Sequence, residues 1–240
     1  MIAQIKSEFK KLLTIRSTYV FLLFCLAADI LFAFYVEGFR VTNFVNDPGK
    51  LAEQSRSAFQ SLGLLIALVG MLLITHEYRY NTIMYTITAA RSRAQVFFAK
   101  FIVVTVFTVV ASLLFAALAP LLTIIGLQIH GTDMVAQSFP YLDILWHGLL
   151  FSWAYSIFAL IVAFIVRSQV GAIVSFILVP GIGESLLTLL LKDNSKYLPF
   201  TSLNQIWMKT DTQTTVITVL AYAVVGSLVA LLLFQKRDAN

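Results

Sequence analysis

Six runs of almost unbroken apolar residues, parted by short polar connections, organise this chain. They cover roughly Thr18–Tyr35, Ala58–Thr75, Phe101–Leu127, Ile144–Val166, Val170–Leu191 and Thr215–Phe234. Each approaches the ~20 residues that a helix needs to cross the hydrocarbon core of a bilayer. The pattern predicts an all-α, polytopic membrane protein of six spans, a single domain over residues 1–240 with the bundle at 17–235. Arg167-Ser168-Gln169 alone parts the fourth and fifth runs, which predicts a tight hairpin. Before the first run, Ile2, Ile5, Phe9, Leu12 and Leu13 recur at helical spacing. Gln4, Lys6, Ser7, Glu8, Lys10 and Lys11 take most of the remaining surface. Residues 1–16 therefore read as an amphipathic helix lying among headgroups, its lysines against anionic lipid.

The polar connections set the orientation. Between the second and third runs lies HEYRYNTIMYTITAARSRAQVFFAK, residues 76–100, with Arg79, Arg91, Arg93 and Lys100 set against one acid, Glu77. Short basic connections stay on the cytoplasmic side. Lys6, Lys10, Lys11, Arg16, Arg167, Lys236 and Arg237 fall on that same side. Arg40, Lys50, Arg56, Lys192, Lys196 and Lys209, mixed with acids, fall on the other. Both termini are expected in the cytoplasm. Of the outer connections, 36–57 contains the turn signal Asp47-Pro48-Gly49. The other, 192–214, is apolar enough to pack on the membrane or cap a cavity.

Composition agrees with a membrane solvent. The chain is 59% hydrophobic and 12% charged, with a mean hydropathy of +0.87, whereas soluble domains run near 45–50% apolar and about 25% charged. A net charge of +5 sits at span ends rather than in one patch, so nucleic-acid binding is not expected. The single cysteine, Cys25, excludes internal disulfides and thiolate metal clusters. The first run continues past Ala27 and Ala28 through Asp29, long enough to span, and is read as a retained anchor rather than a cleaved signal. His76, His130 and His147 lie on different segments, and neither HExxH nor a nucleotide-binding P-loop occurs. No catalytic residue and no metal site is expected. Any ATP must be bound by another chain.

Within the spans, Asp29 and Glu184 stand out, because an ionised group at mid-bilayer costs ~2.5–3.5 kcal/mol on insertion scales and must face protein or water. They read either as members of a proton-coupled carrier or as a hydrogen-bonded interior carboxyl and an interfacial residue. Gly63, Ala67 and Gly70 share one face of the second span, and Gly171 and Ser175 one face of the fifth, as close helix contacts require. These two faces are expected to line an interface between two copies. Pro180-Gly181 interrupts the fifth span, giving either a re-entrant or broken outer half, Gly181–Leu191, that serves as a gate in the substrate pathway, or a kinked helix with no transport role.

The order of parts resembles the type-2 ABC transporter permeases. The start Glu8-Phe9-Lys10-Lys11-Leu12-Leu13, the island His76-Glu77-Tyr78-Arg79-Tyr80-Asn81-Thr82 continuing to Arg91-Ser92-Arg93 and Lys100, and the late Tyr197-Leu198-Pro199-Phe200 stretch carry the likeness. Asn81 stands where that family often has glycine, and it too tolerates left-handed or capping geometry. The resemblance implies that about Thr82–Ala90 forms a coupling helix seated in a cleft of a separate ATPase subunit. Glu77, Arg79, Asn81, Thr82, Tyr85, Arg91 and Arg93 are then the coupling residues, with Arg91 and Arg93 near the ATPase surface or lipid phosphates. It further implies two ATPase copies holding ATP and Mg, a second permease copy (identical or related), and a place in the plasma membrane of a bacterium. The expected activity is export of an amphipathic or hydrophobic cargo, a peptide or antimicrobial peptide foremost. A proton-coupled carrier using Asp29 and Glu184, and a non-transporting immunity or scaffold protein, are the alternatives.

Overall fold

The computed structural model describes residues 1–39, 48–129, 141–206 and 212–236. His130, Trp207, Lys209, Arg237 and residues 40–47 lie outside them. Within the described residues every regular element is helical.

Helix α1 (Ile2–Thr14) ends at Ile15, whose extended backbone turns the chain into α2 (Arg16–Asp29). A π-helical continuation, Ile30–Phe39, completes the first crossing. Helix α3 runs from Pro48 to Arg79. Pro48 opens it, in keeping with a residue whose missing N–H has no partner at a helix start. Residues 48–57, expected as loop, are therefore helix. At 1.5 Å per residue its 32 residues reach ~48 Å, well beyond the hydrocarbon core. The short α4 (Ile83–Ala89) precedes the long α5 (Arg93–Ile129), and α6 (Tyr141–Val166) meets α7 (Gln169–Leu178) across the tight 167–168 turn. A wide turn, Val179–Gly183, joins α7 to α8 (Glu184–Leu191). After the 3₁₀ segment Lys192–Tyr197 come α9 (Pro199–Gln205) and α10 (Thr212–Lys236).

Among the described residues, six helical stretches are long and apolar enough to cross a membrane, Thr18–Tyr35, Leu62–Arg79, Arg93–Gly126, Leu145–Val166, Gln169–Leu191 and Thr212–Lys236. They are not equivalent. Of the second stretch 72% is buried within the chain, against 11% of the fifth and 17% of the sixth. The core centres on α3 and α6, where Ala67, Met71 and Ile74 meet Ala154, Ile157 and Leu160. Aromatic rings tie the rest on: Phe97 to Phe164 (centroids 4.7 Å apart) and Phe164 to Phe234 (5.0 Å).

That packing overturns one expectation. A side chain at Gly63 would meet the Phe151 ring at 3.0 Å, one at Gly70 would meet Val104 at 2.9 Å, and Ala67 is fully buried. The small-residue face of the second span is thus used up inside one chain, on α5 and α6, and is not free for a second copy. The same device recurs at Gly226 of α10, whose absent side chain leaves room for Ile161 at 2.8 Å.

In the fifth span the structure follows one of the two alternatives, helix on both sides of Pro180-Gly181. The helical path continues through Pro180-Gly181, because an i→i+5 bond, Glu184 N–H to Val179 carbonyl, widens the turn around the proline. Gly181–Leu191 continues the helical path of the fifth span. The chain reverses instead at Lys192, a left-handed residue at φ 47°, and returns so that Phe200 lies beside Glu184. Phe200 packs among Tyr155, Phe158 and Phe176. Phe200 of the connection before α10 is thereby anchored in the bundle.

Candidate functional site

At the end of the bundle holding α1, α4 and the last turn of α10, four charged side chains form a closed ring of alternating sign. Lys11 Nζ lies 2.6 Å from Glu8 Oε1 and 2.6 Å from Glu77 Oε1. Lys100 Nζ lies 2.6 Å from Glu8 Oε2 and 3.0 Å from Glu77 Oε2. Glu8 and Lys100 are completely buried, and Glu77 nearly so. Two carboxylates and two ammonium groups leave the ring neutral, which is how charges persist away from water. The Thr86 hydroxyl donates to Glu77 Oε1 at 3.1 Å and accepts from Lys11 Nζ at 2.9 Å. One cluster thus joins α1, α3, α4 and α5. Burial around Lys11 works to lower its pKa, but the carboxylates of Glu77 and Glu8 outweigh burial and hold it above the ordinary 10.5.

Local sequence explains how α4 reaches this cluster. Helix α3 ends with Asn81 at φ 53°, the Thr82 N–H bonding back to the Glu77 carbonyl at 2.8 Å and the Asn81 N–H to that of Tyr78 at 3.3 Å. That bond pair, closed by a left-handed residue, is a Schellman ending, and asparagine tolerates it. The turn sends α4 back across the bundle end with Ile83 and Thr86 buried inward and Met84 and Tyr85 outward, Tyr85 76% exposed. Ala90 is extended, and Arg91-Ser92 leads into α5.

The basic residues of the island divide into two groups. Arg91 is exposed. Arg79, also exposed, donates to Gln169 Oε1 at 3.0 Å and lies over the Tyr80 ring, linking α3 to the start of α7. Arg93, expected to face an ATPase or phosphates, is turned toward the last turn of α10, where it donates to the carbonyls of Phe234 (3.4 Å) and Gln235 (3.3 Å). Arg167 donates to the neighbouring Leu233 carbonyl at 3.2 Å. Cations at a helix C-terminus satisfy its orphan carbonyls and complement its dipole.

Elsewhere the expected residues scatter. Gly171 packs on its own turn, against Val166 and Ser168, and its N–H is accepted by the Ser168 hydroxyl at 3.4 Å. Ser175 is half-buried, and Gly181 has nothing within 4 Å of where a side chain would begin. Glu184 caps α9: its carboxylate accepts from the Phe200 N–H (2.8 Å), the Thr201 N–H (2.7 Å) and the Thr201 hydroxyl (2.8 Å). Asp29 is buried, and among the described residues neither carboxylate oxygen has a hydrogen-bond partner. Among the described residues no group of His, Cys, Asp and Glu could hold a metal ion.

Sequence reasoning missed Glu8, Lys11, Lys100 and Thr86 as members of one site. It placed Glu8 and Lys11 on the solvent face of α1, whereas that helix turns Leu12 and Glu8 inward and leaves Ile2 and Leu13 exposed. A signal was present: Glu8 stands one helical turn before Leu12, on the edge of the apolar stripe, the one acid of α1.

A family model described as "ABC-2 family transporter protein" matches residues 4–180, from within α1 to the wide turn of the fifth span. The chain belongs to that family. It is therefore a membrane-spanning transport subunit, a permease, and not itself a catalyst. The matched region contains every member of the charge ring and all of α4. No curated protein matches the chain.

Proposed function

We propose that this permease exports an amphipathic or hydrophobic cargo, a peptide or antimicrobial peptide foremost, from a bacterial cell, driven by two copies of a separately encoded ABC ATPase. Helix α4 is the coupling element. The observation that carries the reading is the two-faced setting of α4: its inner face is pinned to α1, α3 and α5 through Thr86 and the charge ring, while Tyr85 and Met84 stand out at the bundle end. A lever has to be rigid behind and free in front. Both termini then lie in the cytoplasm, as the basic connections favour, and ATP and Mg stay with the partner.

A second permease copy, identical or related, completes the pathway. The exposed face of α7, with Val170, Val174 and Ile177 uncovered, is the surface offered to it. The proton-coupled alternative now rests on Asp29, since the Glu184 carboxylate is engaged by three donors of α9. Co-isolation with products of neighbouring genes tests the reading. An ATPase that co-purifies, with vanadate-sensitive cargo movement in vesicles lost in Tyr85→Glu, supports it. Transport that persists without any ATPase and stops in Asp29→Asn would replace it with the carrier.

A further inference from the structure

Between α5, α6 and α10 the surface opens into a groove of about 310 Å³, lined by Phe97, Phe101, Trp153, Val224, Leu228 and Leu231 among others. We propose that this groove holds one acyl chain of an anionic phospholipid whose headgroup rests on the basic rim beside it. The lining is apolar apart from Ser227, and the indole N–H of Trp153 is turned away to Thr105 at 3.4 Å, so the walls offer almost nothing to a polar ligand.

The length fits one leaflet. From Ala223 to Leu231 the groove follows α10 for ~12 Å at 1.5 Å per residue, close to half of the ~30 Å hydrocarbon core. Its polar end is also defined. One turn beyond Phe97 on α5 comes Arg93, whose guanidinium reaches Phe234 and Gln235, one turn beyond Leu231 on α10. Lys236, which follows Gln235, and Arg91, two residues before Arg93, are both exposed. A chain-sized apolar slot that ends beside Arg93, with the exposed Arg91 and Lys236 adjoining these residues in sequence, matches the two halves of an anionic lipid better than a zwitterionic lipid or a wholly apolar solute.

Trp153 makes the site observable. The chain has three tryptophans, Trp146, Trp153 and Trp207, so Trp146→Phe with Trp207→Phe leaves a reporter inside the groove. This protein is placed in bilayers of phosphatidylcholine containing increasing brominated phosphatidylglycerol, or brominated phosphatidylcholine, and quenching is read. Quenching should show a preference for the anionic lipid of about fivefold or more, the scale set by one cation at an anionic headgroup. Lys236→Gln with Arg91→Gln should bring that preference close to unity, and Val224→Phe, which fills the groove, should protect Trp153 from both lipids. A Trp146-only protein, its reporter exposed at the far end of α6, should be quenched equally by both and reports that each variant is folded. Equal quenching of Trp153 by the two lipids, or a preference untouched by removing the rim cations, overturns the proposal. So does a Trp153 that neither lipid quenches, which would mean that protein or cargo covers the groove.

Discussion

At the scale of single residues, the ring at Glu8, Lys11, Glu77 and Lys100 makes the sharpest demand. A buried ion pair adds little over a well-packed apolar pair, but removal of one partner strands a charge and costs about 3–5 kcal/mol. Lys100→Met leaves two buried carboxylates with Lys11 alone. It should lower stability by about that amount in detergent, followed by tryptophan fluorescence on heating. Lys11→Met should cost less, because that side chain keeps a third of its surface in solvent and water screens what remains. The pH dependence has a definite sign. A lysine whose pKa is raised on folding contributes fully below 10.5 and loses that contribution only as pH rises through the higher folded value. Denaturation should show no loss from Lys11 below about pH 10.5 and a loss above it that Lys11→Met removes; an alkaline decline identical in both proteins would mean the ring does not hold Lys11.

At the scale of elements, glycines separate contact from slack. Gly70→Val drives a side chain into Val104 and should destabilise by about 1–3 kcal/mol. Gly181→Ala meets nothing and should stabilise by about 0.5–1 kcal/mol, since a helical glycine gives up more backbone freedom than alanine. Both are read by thermal unfolding. Glu184→Gln keeps the shape of the α9 cap but removes its charge, with an expected loss of about 1–3 kcal/mol and faster hydrogen exchange at the Phe200 and Thr201 amides. The elements themselves were legible in the sequence, because runs of bilayer length admit few alternatives. The Asn81 turn was legible too, from the small set of residues that accept a left-handed helix ending. What each face touches was not. Gly63 and Gly70 look the same in sequence whether they meet Phe151 and Val104 or a second chain, and Glu8 reads as surface until the protein side of α1 is known. Helical periodicity gives the angle between residues on one helix, but not the direction in which the neighbouring helix lies.

At the scale of the molecule, α3 and α6 form a fixed centre, α2, α7 and α10 surround it with faces left to lipid or a second copy, and the charge ring binds the α1, α3 and α5 ends into one block behind α4. Work applied to α4 should then move that block together rather than bend a loop. Thiol accessibility at position 85 tests this most directly. The natural background is low, since Cys25 is the single cysteine and is fully buried. Tyr85→Cys should resist a membrane-impermeant maleimide in intact cells, react in inside-out vesicles, and become protected there when the co-purifying ATPase is added back. Labelling of that cysteine from the outside of intact cells would contradict the account.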